Sequence, residues 1–353
     1  VPEADRQRAD GGGGEGVRLA IAAALMATGA TAEPLGPHLA AAGLTESARW
    51  MHDPSRIVTR ADRREVVIAT GRAQEDGYSC GLEMWSRAPG GAWEPATCLF
   101  TDKPDWIADE LPDNQGALWA PDLLGPDLML YSASDGFDGA TSCVGLAVRD
   151  SASWRDLGGP VTCSVREAWA GFGREIAAID PTLARDGDGF VIALGGGVIQ
   201  AARVETVGAL HDLDWLDAAS ADWTQLAAGP LEGGEPGWVE AAFLHQHDGW
   251  WWLFANHGSC CRGVDSTYVI VVGRSRDPLG PFLDRDGAPM LDGGGTPLLD
   301  DHGARIGPGH PAISDAGAMS YHYYDAERDG AAWIGEARLD WTEGWPRVVE
   351  IVR

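Results

Sequence analysis

The sequence predicts an all-β fold, a five-bladed β-propeller, from two observations. From Met51 onward almost every apolar run is about four to eight residues long and is bounded by Gly, Pro, Asp or Asn, and sustained helical periodicity is absent. The second observation is a weak repeat, in which a polar residue precedes an apolar strand, a turn and a second strand. Its intervals of 69, 58, 60 and 70 residues are typical of four-stranded radial blades. The repeat begins at Asp53, Asp122, Asp180, Glu240 and His310.

The clearest copy of the repeat is the segment Trp238–Gly263. Glu240 stands near the start of its first apolar run, His247-Asp248-Gly249 supplies a turn, and a second apolar run follows. Two apolar runs joined by a Gly-containing turn indicate a β-hairpin. A carboxylate in apolar surroundings is rarely buried without a partner or a chemical role. If every anchor begins the innermost strand of its blade, the five side chains converge at one end of the central channel.

The composition limits the kinds of partner that the chain is expected to bind. It has 353 residues with 26 basic and 53 acidic side chains, which gives a formal net charge of −27. Such a surface repels phosphate backbones and anionic lipid, so we expect neither nucleic acid nor a membrane as partner. We also expect a monomer. Filling of the core is the more common role for the sixteen Trp residues, and stacking against sugar rings is the alternative.

Residues 1–32 have the pattern of a signal peptide. The apolar segment that follows Val17-Arg18 is too short to span a bilayer, and it ends in the cleavage pattern Ala30-Thr31-Ala32. We therefore predict a secreted, extracellular protein whose residues 33–353 form one propeller catalytic domain. The acidic leader is atypical, so a start placed too far upstream or a buried helix is the alternative.

Export would permit disulfides, and the chain contains six cysteines. Six cysteines allow fifteen connectivities, so the pairing stays open. The spacing contains no CxxC motif and predicts no structural zinc site. For the adjacent Cys260 and Cys261 we expect two thiols rather than a strained bridge between neighbours.

Asp53, Asp180 and Glu240 are the candidate catalytic residues. Carboxylates gathered in one pocket raise at least one pKa, which separates a protonated acid from an ionised base at the same pH. Hydrolysis of a glycosidic bond needs such a pair, one to protonate the leaving oxygen and one to activate water or attack directly. The structural alternative is that each Asp-Pro pair only begins a strand through a turn.

Several short motifs, taken together and in order, resemble glycoside hydrolase family 43 and within it the arabinanase branch. The resemblance covers about residues 50 to 315. The motifs are HDPSRI from His52, WAPDLL, AIDPTL, VEAAFL, GSCCRGVDSTY from Gly258, VGRS, GGGTPLL from Gly293 and GPGH from Gly307.

The resemblance implies a five-bladed propeller that hydrolyses by a single displacement with inversion. It assigns the general base to Asp53, the general acid to Glu240, and the tuning and orientation of that acid to Asp180. His310 resembles a channel histidine that lies beside a bound ion, usually calcium. A lone His is a poor calcium site, so we expect a mostly water-ligated ion, with a core histidine as the alternative.

Some positions depart from the family pattern and leave substrate preference open. Ala242 replaces a usual Pro, the segment LGGGVIQAARV lacks an expected aromatic, and Asn256-His257 replaces a more usual pair. Trp119 and His257 are the candidate substrate-binding residues, through stacking and direct contact.

The predicted function is a secreted inverting glycoside hydrolase, an endo-α-1,5-L-arabinanase that acts on the polysaccharide arabinan. One alternative is an α-L-arabinofuranosidase or β-xylosidase of the same fold. The other is a carbohydrate-binding propeller without catalysis.

Overall fold

The described residues form five four-stranded antiparallel sheets and one two-stranded hairpin. A computed structural model describes residues 50–71, 81–94, 96–100, 102–114, 118–135, 141–150, 153–164, 176–216, 221–232 and 235–352. In every sheet the strands lie side by side in chain order, as in the blades of a propeller. The predicted five-bladed β-propeller is therefore confirmed. The predicted signal peptide, residues 1–32, lies outside the described residues and stays a prediction.

The strands are assigned to blades in chain order. Blade 1 contains β1 (Val58–Thr59), β2 (Glu65–Thr70), β3 (Leu82–Arg87) and β4 (Thr97–Cys98). Blade 2 contains β5 (Leu118–Leu123), β6 (Leu128–Ser134), β7 (Ser142–Asp150) and β8 (Ser153–Cys163). Blade 3 contains β9 (Thr182–Asp186), β10 (Gly189–Leu194), β11 (Val198–Val204) and β12 (Thr224–Ala228). A small hairpin, β13 (Leu231–Glu232) and β14 (Glu235–Pro236), precedes blade 4. Blade 4 contains β15 (Val239–His247), β16 (Trp250–His257), β17 (Val269–Ser275) and β18 (Thr296–Leu299). Blade 5 contains β19 (Arg305–Ile313), β20 (Ala318–Asp325), β21 (Ala331–Asp340) and β22 (Arg347–Val352).

Helices in the described residues are short. The α-helix α1 spans Trp106–Glu110, and single 3₁₀ turns span Val207–Asp212, Gly263–Asp265, Met290–Asp292 and Ala326–Arg328. In the described part of the chain, no helix combines the length and the apolar character that crossing a membrane requires.

The hairpin predicted from Trp238–Gly263 is formed by β15 and β16. Its turn residues Asp248 and Gly249 have φ values of 50° and 69°. Two consecutive positive φ values characterise a type I′ turn, which matches the right-handed twist of the paired strands. The turn keeps His247 opposite Trp250 and so sets the register that places Glu240 opposite Asn256.

The core lies between neighbouring blades, and the ring closes where blade 5 meets blade 1. There Trp85 and Trp333 pack edge to face with their ring centroids 5.7 Å apart. Arg87 donates to Glu336 at 2.7 Å. The ring is therefore closed by an aromatic contact and by an ion pair. In the described residues, no strand of one of these two blades pairs with the sheet of the other.

Truncation of Trp85 is expected to destabilise the ring. Trp85 is fully buried, so Trp85→Ala leaves a cavity at the closure and lowers the free energy of unfolding by about 3–5 kcal/mol. Chemical denaturation measures the change. Trp215→Ala is the matched control, because Trp215 is 44% exposed and its truncation should cost less than about 0.5 kcal/mol. Equal losses in both variants would contradict closure by Trp85.

Candidate active site

A β-bulge interrupts the innermost strand of every blade at the same place. In blade 4, residues 240 and 243 lie opposite 256 and 254, so the inner strand advances three residues while its neighbour advances two. The same count holds for 119 to 122 in blade 2 and for 309 to 312 in blade 5. In blades 1 and 3 the segments 52–55 and 179–182 make the equivalent backbone contacts. A bulge of this kind re-aims side chains at a strand end.

One residue of each bulge has a left-handed backbone. These residues are Asp53 (φ 47°), Ala120 (45°), Asp180 (55°), Ala241 (58°) and His310 (55°). None is glycine, and such conformations cost of order 1–3 kcal/mol each, so the surrounding blades must enforce them. The observed register corrects two of the predicted anchors. In blade 2 the left-handed residue is Ala120 rather than Asp122. In blade 4 it is Ala241, and Glu240 precedes it by one position.

The bulges bring Asp53, Asp180 and Glu240 from three blades into one buried cluster. The backbone N–H of Ala241 donates to Asp180 Oδ2 at 2.9 Å, which ties the third blade to the fourth. Repulsion from the charges of Asp53 and Glu240 contributes to the raised pKa of Asp180. The three acids therefore act on one another electrostatically, as carboxylates in one pocket do.

Asp53 is held in its ionised form by neighbouring donors and imidazoles. Thr70 Oγ1 donates to Asp53 Oδ2 at 2.7 Å, and His52 Nδ1 lies 2.8 Å from the same oxygen. His322 Nδ1 accepts the backbone N–H of Asp53 at 3.2 Å. Burial raises the pKa of Asp53, but His52, His322 and His310 together outweigh it, and the pKa lies well below its usual range. Asp53 is thus available to accept a proton.

The pKa of Glu240 is shifted in the opposite direction from that of Asp53. Its carboxyl group is buried, and burial raises its pKa, with a further contribution from the charge of Asp53. Hydrogen bonds from Trp238 and from the hydroxyl of Tyr268 oppose this rise and fix the orientation of the carboxyl group. Glu240 thus keeps its proton to a higher pH than an exposed Glu does, while two donors direct its carboxyl group.

Asp180 forms an interacting acidic pair with Glu240, whose charge contributes to its raised pKa. Burial is the largest cause of its raised pKa, followed by the charges of Glu240 and Asp53, while the N–H of Ala241 favours the ionised form. Because the two carboxyls interact, their shared proton belongs to the pair rather than to one residue. The cluster therefore combines one carboxyl whose pKa is lowered with a pair whose pKa values are raised.

A buried ion pair lies one layer below the acids. Arg56 Nε donates to Asp122 Oδ1 at 3.0 Å, and Thr182 Oγ1 donates to Asp122 Oδ2 at 2.9 Å. The guanidinium also stacks over Phe243, 4.7 Å from its centroid. Asp122, Thr182 and Phe243 each stand two residues after the left-handed residue of their blades. Asp122 thus links three blades through Arg56 rather than joining the acidic cluster.

His310 lies beside Asp53. Its Nδ1 is 3.6 Å from Asp53 Oδ1, and its backbone N–H donates to Asn256 Oδ1 at 2.8 Å. His52, Asp53 and His322 offer further ligand atoms within 4.8 Å of one another. Calcium prefers six to eight oxygen ligands, and this described set supplies one carboxylate among imidazoles. These residues fit calcium only if water supplies most of its ligands.

The two predicted substrate-binding residues lie in different surroundings. Trp119 is half-buried and precedes Ala120 in blade 2, the position that Glu240 occupies in blade 4. His257 packs with its Cε1 toward Gly295, and burial lowers its pKa to about 4. In the described part of the chain no hydrogen bond or ion pair links His257 to the acids. Both assignments stay predictions.

Sequence analysis missed the side chains that orient the acids. These side chains are His52, Trp238, Tyr268 and Tyr324. The sequence marked three of them, because His52 and Tyr268 stand inside the motifs HDPSRI and GSCCRGVDSTY and Trp238 begins the central hairpin. Their partners lie up to 272 residues away in the chain, as in the contact between His52 and Tyr324. Only the closed ring identifies which atoms meet.

Four of the cysteines in the described residues form two disulfides. Cys143 and Cys163 join β7 to β8, and Cys260 is bonded to its neighbour Cys261. The expectation of two thiols at 260 and 261 was wrong. The bridge is accommodated by a left-handed backbone at Cys261, whose φ is 69°.

The fold and site together define a propeller with an axial acidic cluster that separates a base from an acid, which is the chemistry of a glycoside hydrolase. A comparison with protein families agrees. The model described as Glycosyl hydrolases family 43 matches residues 51–346, and the chain belongs to this family.

Proteins similar to this chain include two endo-arabinanases and an exo-arabinofuranosidase. An extracellular endo-α-(1→5)-L-arabinanase of Bacillus subtilis is 29% identical over 85% of this chain and 90% of its own length. An extracellular exo-α-(1→5)-L-arabinofuranosidase of Cellvibrio japonicus is 28% identical over 85% of this chain and 86% of its own. The solved endo-arabinanase of Bacillus licheniformis superposes with a TM-score of 0.70 and 31% identity, covering 85% of this chain and 97% of that one.

Replacement of Asp180 by Asn should move the alkaline limb of the kcat/KM profile to lower pH. Loss of the negative neighbour lowers the pKa of Glu240, so the acid loses its proton earlier as pH rises. The pH dependence of kcat/KM on a glycoside substrate measures the shift. Asp188→Asn, an exposed change in the same blade, is the control and should leave the limb in place. An unmoved limb in Asp180→Asn would refute the tuning role.

Proposed function

We propose that the protein is a secreted endo-α-1,5-L-arabinanase that hydrolyses arabinan with inversion. The observation that carries the proposal is the cluster of Asp53, Asp180 and Glu240, in which one carboxyl is driven toward ionisation and the pair toward protonation. Membership in a family of glycosyl hydrolases supports the reaction class. The B. subtilis and B. licheniformis endo-arabinanases support the substrate and the internal mode of cleavage.

Asp53, Glu240 and Asp180 have different roles in the proposed reaction. Asp53 removes a proton from water as the water oxygen attacks the anomeric carbon. Glu240 gives its proton to the departing glycosidic oxygen, and Asp180 keeps that proton in place until then. One displacement of this kind inverts the anomeric configuration and requires room for a water between base and sugar, with carboxyls roughly 6.5–9.5 Å apart.

Polymer binding is the second part of the proposal. A structure of an arabinanase from Cellvibrio cellulosa in complex with arabinohexaose matches this chain with a TM-score of 0.69 and 26% identity, over 85% of this chain and 95% of that one. We propose that Trp119 and His257 contribute to the corresponding sugar sites here. The exo-acting C. japonicus relative makes exo cleavage of the same polymer the second candidate function.

Secretion is proposed on two grounds. The B. subtilis and C. japonicus relatives are named extracellular enzymes. Disulfides such as Cys143–Cys163 persist in oxidising compartments outside the cytosol.

Linear, debranched arabinan should be cut to a ladder of arabino-oligosaccharides. Asp53→Ala and Glu240→Ala should each lower turnover by about 10²- to 10⁴-fold, because each removes one proton-transfer group. Chromatography of the products and release of reducing ends measure both effects.

Controls separate the alternatives. Glu205→Ala, an exposed change in blade 3, should retain full activity, and all variants should keep the wild-type melting temperature. Release of arabinose alone would select the exo candidate, activity on xylan would select a β-xylosidase, and binding without release would reject catalysis. Full activity in Asp53→Ala or Glu240→Ala would reject the assigned roles.

We propose that His310 contacts a calcium ion whose other ligands are mainly water. A chelator should lower the activity and calcium should restore it. Calcium should also raise the melting temperature of the wild type, because a ligand that binds only the folded state stabilises it. His310→Ala should abolish the calcium-dependent rise, whereas magnesium serves as the ion control. A melting temperature that does not respond to calcium in the wild type would remove the ion from the proposal.

A further inference from the structure

A continuous chain of hydrogen bonds leads from the bridge between neighbouring cysteines to the base. The backbone N–H of Cys261 donates to Tyr324 Oη at 2.7 Å. Tyr324 Oη lies 2.7 Å from His52 Nε2, and His52 Nδ1 lies 2.8 Å from Asp53 Oδ2. Residues from three parts of the sequence, Cys261, Tyr324 and the neighbours His52 and Asp53, are thus joined without a gap.

Proton counting gives the chain a direction. A backbone N–H only donates, so Tyr324 Oη accepts from Cys261, and the hydroxyl of Ser266 is a second hydrogen-bond partner that favours negative charge on Tyr324. The phenol proton of Tyr324 is then directed to His52 Nε2. That nitrogen is therefore the acceptor in the neutral ring, and the proton of His52 resides on Nδ1, where it points at Asp53.

The disulfide fixes the origin of this chain. Cys261 adopts a left-handed φ of 69°, a conformation that a cysteine rarely takes without a constraint. The bond to Cys260 supplies that constraint and holds the N–H of Cys261 toward Tyr324. Cys261 Sγ also lies 3.9 Å from His52 Nε2, so the bridge packs directly against the imidazole. Cys261 is exposed, whereas Cys143 and Cys163 are each 1% exposed.

We infer that the Cys260–Cys261 disulfide, Tyr324 and His52 form a positioning relay that orients the carboxylate of Asp53 toward the attacking water. The inference rests on the proposed role of Asp53 as base. It makes turnover dependent on the redox state of the bridge. A dithiol that reduces the bridge gives up two electrons and two protons, its own sulfurs close to a cyclic disulfide, the bond between the cysteine sulfurs breaks, and two thiols form. Cys261 is then free to leave its left-handed backbone.

Tyr324→Phe removes one hydroxyl from the relay. It should lower kcat by about 10- to 100-fold and leave KM unchanged, because a misdirected base slows the proton transfer without altering sugar binding. Steady-state kinetics on debranched arabinan measure both constants. Tyr323→Phe is the matched control, since Tyr323 is the neighbouring tyrosine on β20 and its ring lies under Arg305, 4.6 Å away. Unchanged kcat in Tyr324→Phe would overturn the relay.

The double variant Cys260→Ser, Cys261→Ser tests the bridge itself. It should reproduce the loss in kcat without a reductant, and dithiothreitol should bring the wild type to the same level while leaving the double variant unchanged. A rise in KM with kcat preserved would make the bridge a wall of the sugar site instead and overturn the positioning role. A further loss in the double variant on reduction would place the effect in other disulfides and also overturn it.

Different results would refute the proposed base and the proposed relay. If Asp53→Ala keeps its activity, the proposed base is wrong. If Asp53→Ala is inactive while Tyr324→Phe and the double variant behave as wild type, the base stands and the relay alone is refuted. Melting temperatures near that of the wild type show that each variant is folded, and Cys→Ala replacement at both positions provides a second variant should the Ser pair unfold.

Discussion

The bulge at the start of each innermost strand is the constraint on which the site depends. One extra residue in a left-handed conformation turns the chain at the same level in all five blades, which brings Asp53, Asp180 and Glu240 to a common cluster. Such a conformation is unfavourable for any residue with a side chain, so it persists only because the hydrogen bonds on both sides of the bulge are made. The propeller thus converts five repetitions of a local irregularity into one asymmetric pocket.

Within that pocket, hydrogen-bond partners decide what each carboxyl does. Burial favours protonation of all three acids, and it prevails at Asp180 and Glu240, where few opposing charges are present. At Asp53 the imidazoles of His52, His322 and His310 together reverse the outcome. The surroundings alone therefore shift the pKa values of three similar side chains in different directions, which is the condition for acid and base chemistry at one pH. Below them lies the buried, hydrogen-bonded ion pair of Arg56 and Asp122.

The groups that orient the acids come from more than one blade. Tyr268 and Trp238 direct Glu240 from blade 4, whereas Tyr324 in blade 5 reaches back to His52 before blade 1. Closure of the ring is therefore also completion of the site. The contacts that join blade 5 to blade 1 contribute to stability and to the position of His52 beside Asp53 at the same time.

The sequence by itself determined the fold, the hairpin at Trp238–Gly263 and the acids that meet, because strand periodicity, turn residues and recurring carboxylates are local signals. It placed the second anchor at Asp122, where the structure has Ala120, and it expected thiols at Cys260 and Cys261 where the structure has a bridge. Register at a bulge depends on hydrogen bonds to the neighbouring strand, and a bridge between adjacent cysteines depends on a backbone conformation held by distant contacts. Only the tertiary structure brings those atoms together, so only it could decide them.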